Sequence, residues 1–386
     1  MESIELFSGA GGLALGISRA GIHHRALYEW NRDACETIRA NQTRGVAHVK
    51  EWTLHEGDVR AVDFTRFGDK IDLLAGGPPC QPFSLGGKHA GSNDERNMFP
   101  EVFRAVRELR PRAILIENVK GLMRQAFADY FEYIYLQLSH PSLERKPGED
   151  WTAHRARLEK HHTSGHEADL EYRVVFRLLN AADFGVPQKR ERVFFVGFRS
   201  DLGIDWAFPE PTHSQDTLLY EQWVTGEYWD RHSVPCRSRP AWPERLGGRI
   251  QRVKSSLSLF PTRPWRTVRD AIADLPDPAR PNPALNHRIN PGARSYYGHT
   301  GSPLDEPAKT LKAGDHGVPG GENMLAFPDG SVRYFTVREA ARLQTFPDDY
   351  AFEGAWSEAM RQLGNAVPVQ LGELIAADVR DKLSAS

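Results

Sequence analysis

Short apolar runs alternate with amphipathic helical patterns over the first 200 residues, and this alternation most limits the folds open to the chain. Strand and helix patterns follow one another at 4–7 and 13–20, 25–28 and 34–40, 71–75 and 101–109, and 113–117 and 126–138. Two further strands are predicted at 172–179 and 193–198. Parallel strands need long crossover connections, which are usually helices. The pattern therefore predicts an α/β fold with a doubly wound, mostly parallel sheet.

A strongly basic, loop-rich segment follows this region. Residues 231–269 contain ten Lys or Arg side chains and one acidic side chain, although the formal net charge of the whole chain is -2. Trp242, Trp265 and several prolines are interleaved with these cations. A solvated charged surface is the usual explanation for a run of charge, but so large a local excess favours binding of a polyanion.

The change in character after residue 200 divides the chain into two predicted domains. Helical patterns return at residue 336, so we expect residues 1–200 and 336–386 to form one discontinuous domain closed by the C-terminal helix. Residues 201–335 form a second, smaller, loop-rich domain. Residues 140–168 have almost no aliphatic periodicity and are predicted to be an insertion, to which the sequence assigns no role.

Several classes of protein are excluded by composition. No apolar run approaches the roughly 18 residues of a membrane-spanning helix, and the first residues lack the pattern of a signal peptide, so we expect a cytoplasmic protein. The three cysteines, Cys35, Cys80 and Cys236, are too few for a disulfide framework. None of them makes a paired zinc spacing, and no metal is expected.

A glycine-rich loop, Ser8–Gly12, follows the first predicted strand and opens a helix. In a doubly wound fold this position binds a nucleotide-like cofactor, and a carboxylate at the end of the next strand, here Glu29, accepts hydrogen bonds from ribose hydroxyls. The same glycine pattern also fits a nicotinamide cofactor, or a tight turn without a ligand. Asp58, beside Val59, is placed to accept an adenine amino group, although a turn or capping role explains it as well.

Cys80 lies in the sequence GGPPCQPFS, directly after the predicted strand 71–75. Two glycines and three prolines exclude regular structure, which places Cys80 on a rigid turn at the carboxyl end of that strand. A loop at the edge of a ligand crevice is a poor place to bury a small apolar side chain, so we interpret Cys80 as a nucleophile. Its thiol, with an ordinary pKa of about 8.5, then needs a cationic or helix-terminal environment.

Charged side chains flank two further predicted strands. Glu117 ends the strand 113–117 and therefore projects from the same sheet edge as Cys80. Arg190 and Arg192 lie two residues apart where another strand begins, so their side chains share one face. Two guanidinium groups there suit an anionic or carbonyl-bearing ligand, and the alternative is a solvent-facing edge.

Five motifs in this order, FSGAGG, GGPPCQPFS, ENV, QKRERV and QLGNAVP, resemble those of the DNA cytosine-5 methyltransferases of bacterial restriction and modification systems. The similarity runs from residue 4 to the last helix. It implies the Rossmann-like fold of S-adenosylmethionine-dependent methyltransferases. In that fold residues 1–200 and 336–386 are the catalytic domain, and residues 201–335 are the target-recognition domain.

The resemblance also implies a role for each motif. Catalytic roles fall on Cys80, Glu117 and Arg192, with Arg190 in support. The residues implied to bind S-adenosylmethionine are Phe7, Ser8, Gly9, Ala10, Gly11, Gly12, Glu29, Trp30, Asp58, Val59, Pro79, Asn365 and Ala366. The residues implied to contact DNA are Gln81, Ser84, Gln188, Thr310 and Leu311.

The implied reaction begins with addition of the Cys80 thiolate to C6 of a flipped-out cytosine, after which C5 accepts a methyl group from S-adenosylmethionine. S-adenosylhomocysteine is the implied product, and no metal is involved. The expected partners are double-stranded DNA and a cognate restriction endonuclease, and the chain is expected to act as a monomer.

Three alternatives stay open at this point. An RNA cytosine methyltransferase would use the same chemistry, but the large variable region 201–335 favours recognition of a duplex. A nicotinamide oxidoreductase is supported by the glycine pattern and Glu29 alone, and it leaves Cys80 and Glu117 unexplained. A DNA-binding protein without catalysis has no support, because every catalytic residue type is present.

Overall fold

The computed structural model describes residues 1–68, 70–79, 97–165, 169–255, 261–297, 300–313 and 321–386. The chain divides into two compact units, built from Met1–Leu179, Glu191–Pro209 and Gly372–Ser386 for the first, and Asn180–Arg190 and Glu210–Leu371 for the second. Residues 336–371, which were predicted to belong to the first domain, therefore lie in the second unit. The functional division into catalytic and target-recognition domains stays a prediction.

The described residues of the first unit form a seven-stranded sheet with the order β3-β2-β1-β4-β5-β7-β6. Its strands are β1 (Glu2–Leu6), β2 (His23–Glu29), β3 (Leu54–Glu56), β4 (Leu73–Gly76), β5 (Ala113–Val119), β6 (Tyr172–Asn180) and β7 (Glu191–Arg199). The pairs from β3 to β5 are parallel, and β7 runs antiparallel to β5. The predicted α/β fold class is confirmed.

The strand order reverses between β1 and β4, which are neighbours in the sheet although two strands separate them in sequence. The chain leaves β1 toward one edge through β2 and β3, and it leaves β4 toward the other edge through β5. In open α/β sheets such a switch point opens a crevice at the carboxyl ends of the strands. A ligand site is therefore expected at the loops that follow β1, β2, β4 and β5.

Helices alternate with these strands along the chain, and most of them bury an apolar stripe. They are α1 (Gly12–Arg19), α2 (Arg32–Thr43), α3 (Phe99–Leu109), α4 (Ala128–Ser139), α5 (Trp151–Ser164) and α12 (Val369–Ala385), the last of which begins in the second unit. In α3, for example, Phe99, Val102 and Val106 are spaced by three or four residues and are fully buried. Within the described residues, no helix is long and apolar enough to cross a bilayer.

The helix α5 occupies much of the predicted insertion 140–168. It begins at the side chain of Asp150, which accepts a hydrogen bond from the Ala153 N–H at 2.8 Å. Its buried residues are His154 and Leu158, and the other side chains of this helix are partly or fully exposed. So polar a sequence carries no hydrophobic periodicity, which explains why the helix was not predicted.

The second unit consists of short elements joined by long loops. Its helices and strands are α6 (Gln215–Tyr220), α7 (Glu227–Arg231), α8 (Gly247–Ser255), α9 (Val268–Ile272), α10 (Val337–Leu343), α11 (Trp356–Asn365), β8 (His213–Ser214), β9 (Arg263–Pro264), β10 (Ser302–Pro303), β11 (Met324–Ala326) and β12 (Val332–Tyr334). Buried aromatic side chains, Tyr228, Trp229 and Trp265, form one of its cores. Reciprocal caps between Thr267 and Asp270 fix the start of α9.

Candidate active site

The glycine-rich loop between β1 and α1 has the left-handed backbone that its sequence requires. Gly9 and Gly11 have φ angles of 54° and 80°, a region that glycine enters without steric cost. Phe7, which is not a glycine, has a φ of 59°. Non-glycine residues rarely adopt this conformation, and strained backbone is concentrated at functional sites. The loop therefore has the geometry of a ligand-binding turn.

Glu29 is the last residue of β2, and its carboxylate stabilises the glycine-rich loop. One carboxylate oxygen accepts a hydrogen bond from the Gly9 N–H and the other from the Asn31 N–H, each at 2.7 Å. Because a carboxylate offers about four acceptor positions, it can hold the loop and still accept hydrogen bonds from a ligand. Beside it, the indole of Trp30 is 70% exposed, which leaves a flat apolar surface at the same strand end.

Two buried polar atoms in this region lack a hydrogen-bond partner among the described residues, namely Ser8 Oγ and Glu5 Oε2. Buried polar groups are normally satisfied, so an orphan atom in a ligand loop suggests a partner that binds there. Burial raises the pKa of Glu5 well above its usual range, and the negative charge of Glu29 acts in the same direction. This loop therefore fits a polar ligand.

Asp58 follows β3 and caps the short 3-10 turn Val59–Ala61. Its carboxylate accepts a hydrogen bond from the Arg60 N–H at 2.9 Å and also pairs with the Arg60 guanidinium. These hydrogen bonds hold the pKa of Asp58 below its usual range. The structure thus gives Asp58 the capping role that the sequence left open, while contact with an adenine amino group stays a prediction. Val59 is buried next to it.

The end of β4 and the loop after it lie so close to neighbouring strands that a side chain would be crowded at both Gly76 and Gly77. A Cβ on Gly76 would lie 2.8 Å from the Leu6 carbonyl oxygen, and one on Gly77 would lie 3.2 Å from Glu117 Oε2. The side-chain amide of Asn118 donates to the Pro78 carbonyl oxygen at 3.2 Å. Sequence reasoning did not assign Asn118 a role, although it lies in the ENV motif. It holds the approach to Pro79 against β5.

Three of the predicted site residues, Cys80, Gln81 and Ser84, lie outside the described residues. Pro79, which precedes them, is half-buried. The other two cysteines differ from each other in environment. Cys35 is buried, and burial together with the charge of Glu29 raises the pKa of its thiol to about 12, so it is no nucleophile at neutral pH. Cys236 is exposed.

An ion pair joins β5 and β7 at this edge of the sheet. Arg192 Nε lies 2.9 Å from Glu117 Oε1, and the side chains are only 12% and 9% exposed. The antiparallel register sets Arg192 opposite Val119, two residues beyond Glu117, so the long arginine side chain reaches diagonally across. Gly77 lies against the same carboxylate. The pair is thus built into the sheet beside the loop that leads to Cys80.

Arg190 and Gln188 form side-chain hydrogen bonds to residues of the second unit. Arg190 is fully buried and donates to the carbonyl oxygens of Leu311 at 3.1 Å and Gly364 at 2.7 Å. Gln188 is also fully buried, and its side chain accepts from the Leu311 N–H and donates to Leu343 and Gln344. These contacts favour a structural role for both residues, which the alternation of strand faces alone did not indicate.

The two arginines of the QKRERV motif therefore have different partners. Arg192 contacts a carboxylate of the first unit, whereas Arg190 contacts backbone carbonyls of the second. Thr310 donates to the Lys189 carbonyl oxygen at 2.7 Å, and Leu311 is buried. Asn365 is exposed at the end of α11 and Ala366 is buried after it. Their predicted contacts with DNA and cofactor stay predictions.

Replacing Arg190 with methionine is expected to lower the free energy of unfolding by about 2–5 kcal/mol, because two buried carbonyl groups lose a charged donor. Chemical denaturation would measure this change. Arg252→Met, at an exposed position of α8, is the control and should change stability by no more than about 0.5 kcal/mol. If Arg190→Met kept full stability but lost activity, the structural role would be wrong.

Comparison with known proteins gives a family for the chain. The model of the C-5 cytosine-specific DNA methylase family matches residues 1–141 and 152–381. The type II methyltransferase M.Eco47II of Escherichia coli is 34% identical over 380 residues, which cover 97% of this chain and 78% of that protein. M.NgoMIV of Neisseria gonorrhoeae, also a type II methyltransferase, is 32% identical over 381 residues, covering 98% and 96%.

Solved structures share the fold at lower sequence identity. The Dnmt2 methyltransferase of S. pombe is 19% identical with a TM-score of 0.56, and the alignment covers 100% of this chain and 99% of that one. The methyltransferase EhMeth of Entamoeba histolytica is 15% identical with a TM-score of 0.55, covering 99% and 98%. The residues between 141 and 152, which the family model leaves unmatched, lie in the predicted insertion.

Proposed function

We propose a specific reaction for this chain, which belongs to the C-5 cytosine-specific DNA methylase family. The reaction is transfer of a methyl group from S-adenosylmethionine to C5 of a flipped-out cytosine, through a covalent bond between the cytosine and Cys80. The observation that carries the proposal is the Glu117–Arg192 pair beside the loop that leads to Cys80. A carboxylate and a guanidinium side by side match the polar edge of cytosine, which carries N3, an amino group and a carbonyl oxygen.

The loop after β1 fits S-adenosylmethionine. When bound, this cofactor supplies an electrophilic methyl group. Ser8 Oγ, which has no partner among the described residues, is available to its amino-acid portion, and Glu29 is placed to accept from its ribose hydroxyls. The exposed indole of Trp30 offers a face for the adenine ring. The orphan hydroxyl, the carboxylate and the aromatic face together support this choice of cofactor.

Cys80 would activate the target base. C5 of cytosine is too weak a nucleophile to attack a methyl sulfonium, so a bond from the Cys80 sulfur to C6 first raises the electron density at C5. Glu117 would hydrogen-bond to N3 and the exocyclic amino group as the ring gains electrons, while Arg192 would hold O2. After C5 is methylated, loss of the C5 proton and breakage of the sulfur–C6 bond restore the aromatic ring.

The target base must leave the double helix for this chemistry, because C6 is inaccessible in a stacked duplex. Flipping costs a few kcal/mol of unstacking and unpairing. The basic segment 231–269 would offset this cost through phosphate contacts, and we assign recognition of the DNA sequence to residues 201–335. Thr310 and Leu311, held by Gln188 and Lys189, are proposed to lie against the DNA near the target.

The biological context is proposed from the relatives. M.Eco47II and M.NgoMIV are type II methyltransferases, so we propose that this chain is the modification enzyme of a restriction and modification system. A cognate endonuclease that cuts the same unmethylated site would be its partner. We further propose that it acts on DNA as a monomer in the cytoplasm.

The test is methyl transfer from S-adenosylmethionine carrying a labelled methyl group, to unmethylated duplex DNA and to transfer RNA in parallel. We expect label in the duplex alone, and bisulfite sequencing should place it at C5 of cytosine within one short motif. The same duplex with every cytosine already methylated at C5 is the control and should accept no label. Label in transfer RNA alone would replace this proposal with an RNA methyltransferase.

A further inference from the structure

Three side chains that commonly bind metals meet in and directly after the predicted insertion 140–168. His140 follows α4, His161 lies in the last turn of α5, and Glu171 precedes β6. Their ligand atoms all lie within 4.8 Å of one another. We call His140, His161 and Glu171 the insertion triad. None of them belongs to the proposed methyl-transfer site, and the segment between 141 and 152, which the family model leaves unmatched, connects the first to the second.

The two distances from Glu171 in the insertion triad are compatible with those between ligands of one tetrahedral ion. Zinc binds histidine nitrogen and carboxylate oxygen at about 2.0–2.2 Å, which sets neighbouring ligand atoms about 3.3–3.6 Å apart in a tetrahedron. His140 Nδ1 lies 3.2 Å and His161 Nε2 lies 3.5 Å from Glu171 Oε1. A hydrogen bond of the second length is weak, whereas both distances are ordinary between ligands of one ion.

A fourth residue, His162, supports the ring of His140 from outside the triad. His140 Nε2 lies 2.8 Å from His162 Nδ1, so the nitrogen that faces away from Glu171 has a hydrogen-bond partner. Metal-binding histidines almost always have such a partner on the second nitrogen, because it fixes the tautomer and the ring orientation. His140 is buried, while the side chains of His161 and Glu171 are 17% and 24% exposed. Solvent therefore reaches one side of the triad.

We propose that His140, His161 and Glu171 bind one Zn²⁺ ion, which joins α5 to the ends of α4 and β6. Two imidazoles and a carboxylate are a recurrent zinc ligand set, and a water molecule can complete the tetrahedron on the exposed side. The ion would stabilise the insertion, whose helix buries few side chains of its own. No sequence motif predicts this site, because 21 and 10 residues separate successive ligands and no cysteine is involved.

The experiment is zinc binding to the full-length, untagged protein after removal of metal with a chelator. Competition with a chromophoric chelator should give one tightly bound Zn²⁺ per chain, and added zinc should raise Tm. His161→Gln should weaken this site by at least about 10–100-fold and remove the Tm shift, since loss of an outer partner alone costs that much. His23→Gln, at an exposed histidine of β2, is the matched control and should bind like the wild type.

A second variant and a second probe separate coordination from a change in folding. His162→Gln keeps all three ligands and should lose roughly 10–100-fold in zinc affinity. Co²⁺ bound to the wild type should give the visible spectrum of a four-coordinate ion, which His161→Gln should abolish. The proposal is overturned if the stripped wild type binds no zinc, or if His161→Gln and His23→Gln bind it equally. Neither result depends on methyl transfer.

Discussion

Replacing Cys80 with alanine is expected to abolish methyl transfer while binding of duplex DNA persists. Without the thiolate no bond forms at C6, and C5 stays too weak a nucleophile to accept the methyl group. We expect the rate to fall by roughly 10⁴-fold or more, which corresponds to at least about 5 kcal/mol of lost transition-state stabilisation. Binding should survive because phosphate contacts, supplied by other residues, dominate the affinity for DNA.

The chain contains a matched control for this variant. Cys236→Ala removes an exposed thiol from the basic segment and should leave the methyl-transfer rate within about twofold, because nothing in the proposed chemistry uses it. Single-turnover transfer of labelled methyl would measure the rate, and fluorescence anisotropy with a labelled duplex would measure DNA binding. A folded Cys80→Ala protein that still methylated DNA, or that no longer bound it, would contradict the assigned role.

The first unit could be predicted well because its signals are local. Strands of buried β-branched residues and helices with apolar stripes can be recognised from a few neighbouring residues. The predicted ends of β5 and α3 lie within two residues of the observed ends. The strand β3 has three residues, none fully buried, and so offered no pattern. The helix α5 was not predicted either, because it is long but polar and has no apolar stripe. Its start is marked by the cap at Asp150.

The candidate site was predictable where chemistry follows from position on the sheet. Glu29 is the last residue of β2, and Glu117 lies two residues before the end of β5, so both lie near the carboxyl edge of the sheet, where a ligand crevice is expected. The contacts of Arg190 and Gln188 could not be predicted in this way, because their partners, Leu311 and Gly364 among them, lie far along the chain. Strand alternation gives the face of a residue but not what occupies that face.

Asn118 and the insertion triad show the same limit. The contact from Asn118 to Pro78 crosses 40 residues of sequence, and an asparagine next to Glu117 has no distinguishing pattern of its own. His140, His161 and Glu171 converge only because α4 and α5 return to the start of β6. Sites assembled by tertiary packing are invisible to motif reasoning unless their spacing is already known.

Replacing Glu117 with glutamine is expected to lower the rate of methyl transfer by about 10²–10⁴-fold with little change in DNA binding. A glutamine side chain can still accept from the cytosine amino group and donate to N3, but it cannot exchange a proton with the ring. The variant therefore separates proton transfer from hydrogen-bonding geometry. Glutamine removes the charge of the pair with Arg192 but keeps the size of the side chain, so the free energy of unfolding should fall by no more than about 1–3 kcal/mol.

Glu191→Gln is the control for this variant, since Glu191 lies on β7 next to Arg192 and forms an exposed ion pair with Lys120 at 2.9 Å. An exposed pair contributes about 0–1 kcal/mol, so this change should leave both rate and stability nearly unaltered. Glu117→Ala should lose more than Glu117→Gln, because it removes the hydrogen bonds as well as the proton. If Glu117→Gln were as active as Glu191→Gln, the carboxyl group would only position the base, and Arg192 would be the stronger candidate for stabilising the charge that develops in the ring.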